Sequence, residues 1–177
     1  GFARHGIVPD MITMGKPMGN GIPISGLAAK EDVLAAFSDK LPYFNTFGGN
    51  PVSIAAAQAV LKYIKDENLQ EHCKKAGAAL LKALKEVQER HPESVGDVRG
   101  AGLFFGFEFV KNDGNKTPDK DMALNVIEML RDEHILTSVI GHYGNILKLR
   151  PPMVFSENDI DWFATSLDKC ITKLENK

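Results

Sequence analysis

Two glycine-rich stretches hold the residues best suited to chemistry. In "TMGKPMGNGIPISG", Thr13 to Gly26, Lys16 stands between Gly15 and Pro17. Such a lysine can be a turn residue with its ammonium in water. It can also be a nucleophile, whose amine condenses with an aldehyde when its reach is fixed. Small neighbours would let a planar group lie close to the backbone. "GKP" is not a phosphate loop, which needs Ser or Thr after the lysine, where this chain has Pro17. In "FNTFGGNP", Phe44 to Pro51, Thr46 offers a hydroxyl, and Gly48 and Gly49 offer backbone N–H groups open to an anion. The bland reading of the same stretch is a glycine turn leading into a helix.

Lys148 and Arg150 alternate within "NILKLRPPMVF" and so share one face of a strand. Two such cations either stay solvated or clamp an anion, since arginine takes carboxylate or phosphate through paired hydrogen bonds. Asp97 and Arg99 in "VGDVRGAGL" read as a pair that holds the start of a strand together. His5, His72, His91, His134 and His142 show no metal-ligand spacing, and no H-E-x-x-H occurs, so no metal site is expected.

The elements that must position these residues follow from pattern. "KEDVLAAFSD", Lys30 to Asp39, predicts a short helix. Asn50 with Pro51 predicts an N-cap and first helical position, with the helix running to about Lys65. A second helix is expected over Leu69–Arg90, with Leu80, Leu81, Leu84 and Val87 as its apolar positions. "LFFGFEFV", Leu103 to Val110, predicts a buried strand. Thr117 and Pro118 are expected to cap a helix reaching about His134. Ile146 to Arg150 predicts a strand ended by two prolines. Ser156 with Asp159 resembles a capping box that opens a final helix, with Ile160, Phe163, Leu167, Ile171 and Leu174 inward.

The fold class expected is α/β and α+β, with residues 1–65 one part and 66–177 a small C-terminal α+β domain. Residues 1–50 carry apolar segments such as "IPISGLAA", Ile22 to Ala29, with no visible sheet to receive them. Residues from about 66 onward can support their own core. The chain opens in mid-phrase at "GFARHGIVPD" and reads as a piece of a longer polypeptide.

Composition narrows the function classes. The 177 residues are 44% hydrophobic and 25% charged, with a formal net charge of −2, which gives no reason to expect a nucleic acid or an anionic membrane as partner. No apolar run approaches the roughly 18 residues that span a bilayer. Gly1 to Asp10 lacks the apolar region of a signal peptide. Cys73 and Cys170 form no CxxC and read as reduced, mostly buried thiols of an intracellular, cytoplasmic protein.

"VPDMITMGKPMGNGIPISG", "FNTFGGNPVSIAAAQAVL", "VGDVRGAGLFFGFEFV" and "GNILKLRPPMVF" occur in that order. Together they resemble the C-terminal part of class III aminotransferases, fold-type I pyridoxal-phosphate enzymes, nearest the alanine–glyoxylate aminotransferase 2-like branch, which includes phospho-lyases. The resemblance covers essentially the whole chain. It implies the end of a large cofactor-binding domain over 1–65, followed by the small domain. It implies pyridoxal 5'-phosphate as cofactor, with Lys16 matching the Schiff-base lysine that also shuttles a proton at the substrate Cα. Thr46, with Gly48 beside it, matches the residues that reach the cofactor phosphate of a neighbouring subunit. "GFARHG" looks like the segment that follows the family's Asp-Glu-Val-Gln motif, whose Asp pairs with the pyridine nitrogen.

Many members carry at the Lys148 position an arginine that grips the substrate carboxylate. Lysine there, with Arg150 two residues on, leaves room for another anion such as a substrate phosphate. The activity implied is transfer of an amino group from an amine or amino acid to an oxo acid. The alternatives are elimination of phosphate from a phosphorylated amino alcohol or amino acid, and a non-catalytic assembly module of the same fold. A homodimer is implied for the full-length protein. The chain alone is expected to be inactive and to bind cofactor poorly, its N-terminal third loosely held or covered by a partner.

Overall fold

A computed structural model describes residues 1–176. The chain divides into two compact units, Gly1–Glu67 and Asn68–Lys177.

In the first unit, β1 (Met11–Met14) pairs antiparallel with β2 (Gly26–Ala29), Met11 facing Ala29 and Met14 facing Gly26. The second half of "IPISGLAA", Gly26 to Ala29, therefore does find a partner strand, in a sheet of only two strands. A 3-10 turn, Lys16–Gly19, lies between them. Helices α1 (Glu31–Ser38) and α2 (Pro51–Asp66) follow. Asn50 caps α2 as expected: its side-chain oxygen accepts from the amides of Val52, at 3.0 Å, and Ser53, at 3.3 Å, with Pro51 at the first helical position. Gly19 is the one buried residue among the described residues of this unit. The apolar stripe of α2 reaches only partial burial at Ala56, Val60 and Ile64, and Val52 is exposed.

The second unit holds the core. It runs α3 (Leu69–Arg90), β3 (Val95–Ala101), β4 (Phe104–Phe109), α4 (Lys120–Asp132), β5 (Ser138–Ile140), β6 (Ile146–Leu149) and α5 (Glu157–Glu175). The strands form one antiparallel sheet in the order β3-β4-β6-β5. Strict alternation in β4 sends Phe105, Phe107 and Phe109 to one face, where Val98, Leu147 and Leu149 join them. Leu80, Leu84 and Val87 of α3, Val126 and Leu130 of α4, and Ile160, Phe163, Leu167 and Ile171 of α5 cover that face. Leu81 and Leu174 are only partly buried against it.

The opposite face lacks such cover within the unit and carries Asp97, Arg99, Phe104, Gly106, Glu108 and Lys148, none of them fully buried. β3 is bulged between Val95 and Asp97.

One cap differs from expectation. The N-cap of α4 is Asp119, whose carboxylate accepts from the Met122 amide at 2.9 Å. Thr117 and Pro118 do not cap, because their backbone is already engaged. The Thr117 carbonyl accepts from the Lys111 amide at 2.8 Å, and Pro118 bridges to Val110. The helix ends at Asp132, and His134 takes a left-handed φ of 63° beyond it. The Ser156–Asp159 capping box is present in full at the start of α5.

Candidate functional site

Lys16 opens the 3-10 turn between β1 and β2 with φ 53°, a left-handed conformation. For a residue with a Cβ this costs of order 1–2 kcal/mol, which a glycine would avoid. The turn thus holds a lysine where backbone energy favours glycine, and such strain is often kept where a side chain has work to do. The turn packs against α2. The Lys16 side chain is exposed and, among the described residues, makes no ion pair.

The second glycine stretch forms an exposed turn ahead of α2. The Gly48 amide is not open to an anion, contrary to the sequence expectation. It donates to the side-chain oxygen of Asn45 at 3.0 Å and to the Asn45 carbonyl at 3.2 Å, while the Phe47 amide shares the same side-chain oxygen at 3.2 Å. Asn45 is an Asx-turn residue, and its own acceptor fills the place an anion would take. Gly49 is different: it sits at φ 73° with nothing within 4 Å of where a Cβ would stand. The Thr46 hydroxyl makes no side-chain hydrogen bond among the described residues. A cleft of about 560 Å³, lined by Pro23, Ile24 and Ser25 and by Phe47, Gly48 and Gly49, brings the two glycine stretches together. Neither Lys16 nor Thr46 lines it.

In the second unit, Lys148 lies opposite Gly106 of β4 and Ser138 of β5 on the open sheet face. Arg150 follows at the end of β6, its guanidinium carbon 5.4 Å from the centre of the Phe104 ring. Both border a cleft of about 510 Å³ at the end of the sheet, whose lining also includes Leu80, Leu149, Phe155 and Phe163 of the helix-covered side. Among the described residues neither pairs with a carboxylate.

Arg99 on the same face is paired with two carboxylates. It donates to Asp97 at 2.7 Å and to Glu108 at 2.6 Å. The Arg99 hydrogen bond holds the Asp97 carboxyl below its ordinary range, and the two carboxylates raise Arg99 in turn. Asp97 and Arg99 do hold each other, within β3, and Glu108 completes the group. The signal for Glu108 was the alternation of β4, which sets it on the polar face opposite Asp97. Among the described residues, the face therefore carries one neutralised cation and two unpaired ones.

The comparisons with known proteins agree on one family. The family model described as Aminotransferase class-III matches residues 1–171. "Ethanolamine-phosphate phospho-lyase homolog 1" of Caenorhabditis elegans is 45% identical over 168 residues, covering 94% of this chain and 36% of that protein. "Alanine--glyoxylate aminotransferase 2 homolog 2, mitochondrial" of Arabidopsis thaliana is 36% identical over 174 residues, covering 98% and 36%. Among solved structures, a phospholyase from Arthrobacter in complex with phosphoethanolamine matches with a TM-score of 0.92 at 37% identity, over 97% of this chain and 40% of that one. The chain thus spans little more than a third of the length of these curated relatives. With residues 1–171 matched by one family model and 98% of its length aligned to a relative of that family, the chain belongs to the class III aminotransferases, fold-type I enzymes that use pyridoxal phosphate.

Proposed function

We propose that the whole protein eliminates phosphate from a phosphorylated amino alcohol or amino acid, using pyridoxal phosphate. The observation that carries this reading is the unpaired Lys148 and Arg150 on the open sheet face. Two cations without carboxylate partners suit a dianionic group better than the single charge of a carboxylate. The likeness to the Caenorhabditis and Arthrobacter proteins, both named for phospho-lyase chemistry, supports it.

The residues present fit the cofactor by the chemistry of their donors. An unpaired amine at Lys16 suits an aldehyde, and an uncommitted hydroxyl at Thr46, next to the bare backbone of Gly49, suits a phosphate. Gly48 contributes by allowing the tight turn, its amide being held by Asn45. When bound, the cofactor supplies an electron sink for the bond broken at the substrate carbon that bears the amine. Lys16 would hold the cofactor and then take the proton from that carbon through its Nζ. Lys148 and Arg150 would bind the phosphate before and as it leaves, countering the charge that builds on it. The whole protein is read as a cytoplasmic homodimer in which Thr46 serves the neighbouring subunit.

A second reading is transfer of the amino group to an oxo acid, favoured by the likeness to the Arabidopsis aminotransferase. In that case the cationic pair would hold a substrate carboxylate. The test is to incubate the whole protein with cofactor and phosphoethanolamine and assay inorganic phosphate, with and without an oxo acid. Phosphate release without oxo acid establishes elimination. Amino transfer that requires the oxo acid and frees no phosphate establishes the second reading.

A further inference from the structure

Phe104 is out of keeping with its strand. Phe105, Phe107 and Phe109 are buried on the helix-covered face, whereas Phe104 lies on the other face and is 55% exposed. A single exposed phenylalanine needs no explanation in general. This one has the Arg150 guanidinium over its ring at 5.4 Å. The register explains the meeting: Phe105 faces Leu149 across β4 and β6, so the next pair outward is Phe104 and Arg150. Pro151 and Pro152 follow Arg150 at once and fix the backbone on its far side. The backbone of Arg150 is thereby placed, but its long side chain is not.

The contrast with Arg99 shows what the ring does. Arg99 is held by two carboxylates, both taken up by its Nη1, which neutralise it. Arg150 instead lies over an aromatic ring and, among the described residues, donates no side-chain hydrogen bond. Its N–H donors are thus not taken by a carboxylate among the described residues and can serve a ligand. A carboxylate in place of Phe104 would position Arg150 equally well and would also neutralise it.

We infer that Phe104 is the positioning residue of the anion site: its ring holds the Arg150 guanidinium in place without a carboxylate, so that the charge and the N–H donors stay available to the substrate anion. This rests on the reading of Lys148 and Arg150 as an anion-binding pair. Phe104 is a specificity residue acting through Arg150, and it takes no part in proton transfer.

The test uses the whole protein with cofactor bound and measures inhibition by inorganic phosphate together with KM and kcat for the phosphorylated amine. Phe104→Leu should raise the inhibition constant and KM roughly two- to thirtyfold, the range an arginine–aromatic contact spans between exposed and desolvated sites. The effect on kcat should be much smaller. Phe104→Tyr should restore both constants, which also shows that the fold tolerates change there. In an Arg150→Met background, Phe104→Leu should add nothing.

An unchanged inhibition constant in Phe104→Leu, beside a raised one in Arg150→Met, overturns this inference and leaves the anion site standing. The same Phe104→Leu effect in the Arg150→Met background also overturns it. An unchanged inhibition constant in Arg150→Met overturns the anion reading itself, and this inference with it.

Discussion

A Cβ on Gly77 would stand 2.1 Å from the carbonyl oxygen of Gly102. At that point α3 rests directly on the turn between β3 and β4, backbone against backbone. Helix propensity alone would make Gly77→Ala stabilising by about 1 kcal/mol. A methyl group facing rigid backbone has to push the helix off the hairpin, which costs about 1–3 kcal/mol. Gly77→Ala is therefore expected to destabilise the chain, as read from its urea midpoint. A raised midpoint would show that the helix and hairpin are not in close contact.

His91 ties the end of α3 to α5. Its buried ring has Nδ1 2.7 Å from a Glu175 oxygen and Nε2 3.1 Å from Asp168. Arg90 Nε donates to the same Asp168 oxygen at 2.6 Å, and the Ser94 hydroxyl donates to Glu175 at 2.6 Å. Removing the ring in His91→Ala strands part of this network and leaves a void. The expected loss is about 1–3 kcal/mol, measured by denaturant unfolding. A change within a few tenths would mean that water serves the two carboxylates equally well.

The start of α5 gives the chain a defined response to acid. The Ser156 hydroxyl and then the Ser156 amide hold the Asp159 carboxyl below its ordinary range. A carboxyl depressed by folding stabilises the fold above its unfolded pKa, about 3.9. That stabilisation is lost as pH falls through the lower folded value. Asp159→Asn is therefore expected to unfold more easily than the parent chain at neutral pH, with the difference shrinking below about pH 4. Helix content followed in acid titrations of both chains checks it. A constant gap at all pH values would remove the charge of Asp159 from the cap.

Lys16→Ala in the whole protein should abolish covalent attachment of the cofactor and lower turnover by several orders of magnitude, because the nucleophile and the proton acceptor are lost together. Cofactor absorption and turnover are the readouts. Parent-like values in both would take Lys16 out of the mechanism.

The elements that could be read from the chain are those whose residues all point the same way. Leu69–Arg90 repeats its apolar residues at helical spacing, and its ends match the helix. Asn50–Pro51 and Ser156–Asp159 carry their capping chemistry in two or four residues. Misreadings arose where one residue type serves two structures. Pro118 suits the first turn of a helix and also an isolated bridge, and only its pairing with Val110 decides. β3 carries Gly96 and Gly100, which depress strand propensity, yet a Cβ on Gly100 would stand 2.3 Å from the Phe104 carbonyl, so the strand needs glycine there. As candidates, Lys16, Thr46, Lys148 and Arg150 could be named from donor chemistry alone. The capture of the Gly48 amide by Asn45 was not, because it depends on how a turn folds back on itself.

The edges of the four-stranded sheet bear on how the protein meets other molecules. One edge is β5, only three residues long, and the other is β3, broken by its bulge between Val95 and Asp97. A short edge offers few backbone groups to an incoming strand, and a bulged one offers them out of register. Growth of the sheet by strand addition, the usual start of fibrous aggregation, is disfavoured at both ends. An encounter with this unit is left to its faces.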